Sequence, residues 1–183
     1  MIFILLALSL LILPLPWILS FFLAAAVHEL GHYAALRLCG VPVYSLQIRP
    51  GGAMMQVERM TRVQSILCSL AGPLAGLSLL LLARILPRTA LCACIHSFYN
   101  LLPVYPLDGG RVLHSLPITD RACRLIEIVI LSLIVLAGIY GSIILKLGIF
   151  PLFISALTIR RALEGKGLEM RRGFRYNRGR LYE

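Results

Sequence analysis

Two histidines four residues apart, His28 and His32, flank Glu29 inside the long apolar segment Trp17–Leu38. Residues four apart on an α-helix share a face, so both imidazoles can reach one tetrahedral cation such as Zn²⁺. Glu29 stands beside the first of them as a candidate general base. Water on such a cation has its pKa lowered towards neutrality, and a carboxylate that takes its proton promotes attack on a peptide carbonyl. Phe21–Val27 before the motif and Ala34–Leu36 after it supply no polar partner for two imidazoles and a carboxylate. Leaving such groups unpaired among apolar neighbours is costly, which favours a metal site over a hydrogen-bonded pair in the core. The chemistry of this pattern is peptide hydrolysis.

A catalytic zinc commonly takes three protein ligands and keeps a fourth position for water. The candidate for the third is Asp108, in the stretch Asn100-Leu-Leu-Pro-Val-Tyr-Pro-Leu-Asp108-Gly-Gly. Pro103 and Pro106 interrupt a helix, and Gly109 and Gly110 permit an unusual turn, so Asp108 can point back into the protein. Asn100 is a candidate for hydrogen-bonding a substrate backbone or a developing oxyanion, against the alternative of a helix-packing amide. His96, one helical turn earlier, reads better as an interhelical hydrogen-bonding group. His114 is not assigned as a ligand.

The elements that must hold these residues are membrane helices. The 183-residue chain is 59% hydrophobic and 14% charged, with a mean hydropathy of +0.88, which excludes an ordinary soluble globule. Apolar segments run over Ile2–Leu13, Trp17–Leu38, Val63–Leu86, Ala90–Val104, Leu125–Leu145 and Leu147–Ile159. Pro14 and Pro16 separate the first two, and the sequence therefore predicts an all-α polytopic membrane protein of about six transmembrane helices. With both termini cytoplasmic, every Lys and Arg except Arg84, Arg88 and Lys146 falls on the cytoplasmic side, as the positive-inside rule requires. The N-terminal apolar run lacks a basic leader and is expected to stay as an uncleaved span. Asp108 and His32 then lie towards the same, cytoplasmic, side of the bilayer.

Between the second and third segments, Val43–Arg49 and Ala53–Glu58 flank Pro50-Gly51-Gly52 and read as a small β-hairpin. Its edge offers a place for an unwound substrate segment to add as a strand, with Gly51 and Gly52 as candidate substrate-binding residues; an ordinary interfacial hairpin is the alternative. Ser69–Gly76 is rich in small residues and suits close helix packing. Lys166 and seven arginines crowd residues 160–183, directly after an apolar segment, which points to anionic lipid headgroups and not to nucleic acid. Residues 1–163 are therefore read as one membrane domain and 164–183 as a basic cytoplasmic tail. Cys39, Cys68, Cys92, Cys94 and Cys123 lack the spacing of a metal or disulfide framework and read as packing residues.

Three motifs in this order, His28-Glu29-Leu30-Gly31-His32, Ala71-Gly-Pro-Leu-Ala-Gly76 and Asn100-Leu-Leu-Pro through Pro106-Leu-Asp108-Gly-Gly, resemble those of the site-2 proteases, intramembrane zinc metalloproteases of peptidase family M50. The resemblance covers about Trp17 to Leu116. It implies one Zn²⁺ per chain bound by His28, His32 and Asp108, with Glu29 as the base of a zinc metalloendopeptidase. It also implies a membrane-protein substrate, a membrane regulatory partner and a place in a bacterial cytoplasmic membrane. Within the family the chain looks most like the sporulation branch that processes a membrane-associated sigma-factor precursor, because the link between the second and third segments is too short for a PDZ domain. It departs from that type in ending soon after the sixth segment without a CBS domain, which leaves nucleotide sensing and the substrate, a sigma-factor precursor or an anti-sigma factor, open. The alternatives from other classes are a catalytically silent membrane scaffold and a metal-dependent transporter. A transporter would show paired broken helices in an internal repeat, which this sequence lacks, and a silent scaffold has no need of Glu29.

Overall fold

The computed structural model describes residues 14–49, 52–57, 60–146 and 148–172. Helix α1 (Leu15–Leu38) begins with Pro16 in its first turn, where a missing N–H costs no helical bond. It ends where Gly40 takes a left-handed φ of 68°, letting the amides of Cys39, Gly40 and Val41 turn back onto the carbonyls of Ala35, Arg37 and Leu36. Strands β1 (Val43–Arg49) and β2 (Gly52–Val57) then pair antiparallel, in register from Ser45↔Gln56 to Arg49↔Gly52. Met55 and Val57 pack with Leu36, Val41 and Cys68, so the base of this ribbon rests where α1 ends and the next helix runs past.

Helix α2 (Arg62–Ser78) starts at a capping box: the Thr61 hydroxyl accepts from the Gln64 amide, and the Gln64 side chain accepts from the Thr61 amide at 2.9 Å. The Gln64 amide group also donates to the Cys39 carbonyl at 3.2 Å, tying the start of α2 to the end of α1. A 3₁₀ turn (Leu79–Leu82) prolongs α2. Helices α3 (Pro87–Asn100), α4 (Asp108–Ser115), α5 (Asp120–Ile143) and α6 (Phe150–Arg172) follow.

Among the described residues, three helical stretches, Leu15–Leu38, Arg62–Leu82 and Asp120–Ile143, are long and apolar enough to cross a membrane. Their apolar side chains face outwards as well as inwards: Leu19, Phe22, Leu30, Leu67, Leu74 and Leu136 are each more than half exposed. That pattern suits helices solvated by lipid on one side and packed on the other. The expected first segment, Ile2–Leu13, lies outside the described residues. The expected fourth, Ala90–Val104, is a helix that starts earlier, at Pro87, and stops at Asn100, ahead of Pro103. The sixth starts at Phe150 and runs on without a break into its charged second half.

Small residues bring α1, α2 and α3 together. Ala24, Leu79 and Ala93 form a buried cluster, a Cβ on Gly31 would strike Ala75 and the Ala71 carbonyl, and one on Gly76 would strike the Ser97 hydroxyl. Close approach of this kind is how helices associate where lipid removes the hydrophobic drive between them. On the other side, Val104, Leu107 and Ala162 form a second cluster that seats the segment between α3 and α4 against α6.

Candidate metal centre

His28 and His32 lie one turn apart on α1, on the face that meets α2 and α4. His28 is buried, with 2% of its surface exposed, and the His32 side chain is 13% exposed. Pro73, inside α2, has no N–H to donate to the Ser69 carbonyl, one residue beyond Cys68. The Cys68 carbonyl accepts from His32 Nδ1 at 2.7 Å. Gly72 clears the space beside that ring: a Cβ there would overlap His32 Nε2, Cε1 and Cδ2.

Asp108 arrives from the other direction. The chain leaves α3 at Asn100, folds through residues 101–107 with a cis Tyr105–Pro106 bond, and enters α4 at Asp108. A Cβ on Gly109 would strike the carbonyls of Leu101 and Leu102, and one on Gly110 the backbone of Val104 and Tyr105. The glycines therefore let α4 start directly against the segment before it. Asp108 is buried at the N-terminus of α4, where the helix dipole favours a carboxylate. Arg111 Nη1 lies 3.7 Å from its second oxygen.

The three groups meet. His28 Nε2, His32 Nε2 and Asp108 Oδ2 form a triangle with sides of 3.1, 3.1 and 3.2 Å. Ligands about 2.0–2.1 Å from a tetrahedral Zn²⁺ stand about 3.3 Å apart, so the triangle matches one face of such a tetrahedron. The donor chemistry agrees. A carbonyl only accepts, so His32 carries a proton on Nδ1, and in the neutral ring Nε2, the nitrogen turned towards Asp108, is the one free to bind a cation. A cation among the three groups would be held by a lone pair from each. The bond to Cys68 is of the kind that orients an imidazole where one binds a metal. His28 is held by packing instead: its Nδ1 is buried without a hydrogen-bond partner, and its ring meets those of His32 and His96 edge to face at 4.7 and 4.6 Å.

Glu29 is partly buried on α1, adjacent to His28. Asn100 Nδ2 contacts the His96 carbonyl at 3.0 Å and His96 Nε2 at 3.2 Å. Because the carbonyl accepts only, the nitrogen side of the amide is the side turned to His96, and Asn100 has its oxygen left to offer. Gly52 opens β2, and Gly51 lies outside the described residues. His114 does not reach the triangle; its Nε2 lies 2.9 Å from Glu127 Oε1. Glu127, buried on α5, is absent from the sequence-based candidates, although a lone carboxylate in an apolar segment is itself a signal.

No protein-family model matches the chain. It is 26% identical over 109 residues to the zinc metalloprotease MJ0392 of Methanocaldococcus jannaschii, covering 52% of this chain and 32% of the relative. It is 29% identical over 123 residues to sll0528 of Synechocystis sp., provisionally named a zinc metalloprotease, covering 55% of this chain and 32% of the relative. The match thus spans about one third of each curated relative's length. The structure titled Site-2 Protease from Methanocaldococcus jannaschii superposes with a TM-score of 0.64 at 22% identity, covering 90% of this chain and 85% of that one, and shows that the two share a fold.

Proposed function

We propose, from the site-2 protease family that these relatives and this shared fold support, that the chain is an intramembrane zinc metalloprotease. The observation that carries the reading is the triangle of His28, His32 and Asp108 donor atoms, spaced for one tetrahedral ion. Zinc held there by these three residues would polarise a scissile carbonyl and lower the pKa of its water.

The remaining chemistry belongs to the chain. Glu29 accepts a proton from the attacking water and passes it to the leaving amine. Asn100 offers its amide oxygen to a backbone N–H of an extended substrate. The β1–β2 ribbon, whose second strand begins at Gly52, supplies an edge along which that substrate lies. A substrate helix must unwind first, because its own hydrogen bonds shield its peptide groups. Burial of the site limits water to what reaction needs.

The membrane arrangement we infer has six spans, the described three joined by residues 2–13, α3 and the first half of α6, with both termini cytoplasmic. Residues 1–163 form the protease domain and 164–183 a basic tail at anionic headgroups. The substrate class is a membrane-tethered regulatory protein such as a sigma-factor precursor or an anti-sigma factor. The assignment to the sporulation branch, to a bacterial membrane and to a membrane regulatory partner rests on the sequence resemblance.

The test is co-expression of candidate tethered factors with wild type, Glu29→Gln and Asp108→Ala, with the zinc content of each purified protein. Glu29→Gln should keep zinc and lose cleavage by about 10²–10⁴-fold, and Asp108→Ala should lose zinc. Undiminished cleavage by Glu29→Gln would refute the mechanism.

A further inference from the structure

Glu127 is a carboxylate inside an apolar helix, with 3% of its surface exposed. Such a group is costly to bury unless it is bonded, and membrane spans hold one only where it is used. Its Oε1 accepts from the Tyr105 backbone amide at 3.0 Å and contacts His114 Nε2 at 2.9 Å. Tyr105 precedes Asp108 by one turn's length of chain, and His114 lies on α4, the helix that Asp108 begins. The two partners also touch each other, with the Tyr105 and His114 rings edge to face at 5.9 Å. One carboxylate oxygen on α5 thus ties together the backbone before Asp108 and the helix after it.

We propose that Glu127 is a positioning residue for the third metal ligand, fixing the Asp108 turn at the distance from α1 that the ion requires. The physical need is specific. His28 and His32 share one helix and keep their spacing unaided, whereas Asp108 comes from a separate segment whose start, residues 101–107, is irregular. Val104 and Leu107 also pack with Ile130 and Leu131 of α5, and Cys123 Sγ meets the Leu113 carbonyl at 3.8 Å, but apolar packing sets no backbone direction, whereas the Glu127 bonds do. Partners outside the ligand shell typically change metal affinity by about 10–100-fold when removed.

This rests on the reading of His28, His32 and Asp108 as zinc ligands, and the experiment separates the two. Zinc affinity is measured by chelator competition on purified full-length protein, with Co²⁺ absorption as a report of ligand geometry. Glu127→Leu should weaken zinc by about 10–100-fold and alter the Co²⁺ bands, while Glu127→Gln, which keeps an acceptor oxygen for the Tyr105 amide, should stay within about threefold of wild type. His114→Phe keeps the ring against Tyr105 and loses one arm of the tie, and should fall between them. Wild-type affinity in a folded Glu127→Leu overturns the proposal, as does wild-type affinity in His114→Phe if Glu127→Leu does not fold. A wild-type protein that binds no zinc overturns the metal-site reading itself.

Discussion

Gly72→Ala is the smallest change that should disable the centre. A methyl at this position overlaps three atoms of the His32 ring. Ordinary carbon contacts begin near 3.5 Å, so the ring or α2 must retreat by roughly 1 Å. The ring has no free direction: Nδ1 is bonded to the Cys68 carbonyl at 2.7 Å, and Nε2 is set 3.1 and 3.2 Å from the other two donor atoms. Helix α2 cannot easily back away either, because Gly31 packs against Ala71 and Ala75 just along the same interface. Overpacking of this kind costs about 1–3 kcal/mol, and a catalytic group displaced by about 1 Å loses on the order of 10²-fold in rate. Zinc content, thermal midpoint and cleavage of a tethered substrate should all fall together. The control is Gly40→Ala: the added methyl meets nothing, but φ is 68°, so stability should drop by about 1–2 kcal/mol with zinc content unchanged. A folded Gly72→Ala with wild-type zinc content and turnover would refute the packing argument.

Two further outcomes follow from the same geometry. Asn100→Leu removes one hydrogen bond to an extended substrate and should lower kcat/KM by about tenfold, the equivalent of roughly 1–1.5 kcal/mol, while zinc affinity stays at the wild-type value; loss of zinc instead would make Asn100 part of the metal site's support. Stripping the ion with a chelator should lower the thermal midpoint, because ligand at about 100 times its Kd contributes about 2.7 kcal/mol. The drop should disappear in Asp108→Ala, and an equal drop in both proteins would place the stabilising ion elsewhere.

What could be read from sequence here is what periodicity and covalent spacing determine. His28 and His32 fall on one face because they are four apart on a helix, and that relation needs no tertiary information. The apolar segments are legible for the same reason, since lipid demands continuous hydrophobicity whatever the packing. Asp108 is harder, because its approach depends on two prolines and two glycines acting together. The structure brings it to the histidines by pressing α4 against residues 101–105, a contact that only the absence of two Cβ atoms permits. The Cys68 carbonyl is invisible to side-chain patterns, being a backbone group whose partner, His32, comes from another helix. Gly72 was legible as a packing residue, but its neighbour was not. The fourth and sixth segments misled at their edges because hydropathy continues past the points where Pro103 stops one helix and Phe150 starts another.

Buried polar groups divide by how they are satisfied, hydroxyls differently from ionisable groups. Thr158 bonds the Ile154 carbonyl at 2.9 Å and Ser155 the Pro151 carbonyl at 3.0 Å, each within its own helix, and the same hydroxyls also meet the Tyr99 hydroxyl at 3.2 Å and the Ile134 carbonyl at 3.0 Å on neighbouring helices. Such residues can be buried anywhere along a membrane helix. Ionisable groups cannot, because no carbonyl of their own helix cancels the cost of removing a charge from water. His28, Asp108 and Glu127 are all buried, and all meet around one segment, residues 101–115. If they served only to hold helices together, pairs spread along the interfaces would do as well. Their convergence on one turn concentrates the desolvation cost in one place, where on the function proposed above a metal ion would offset it.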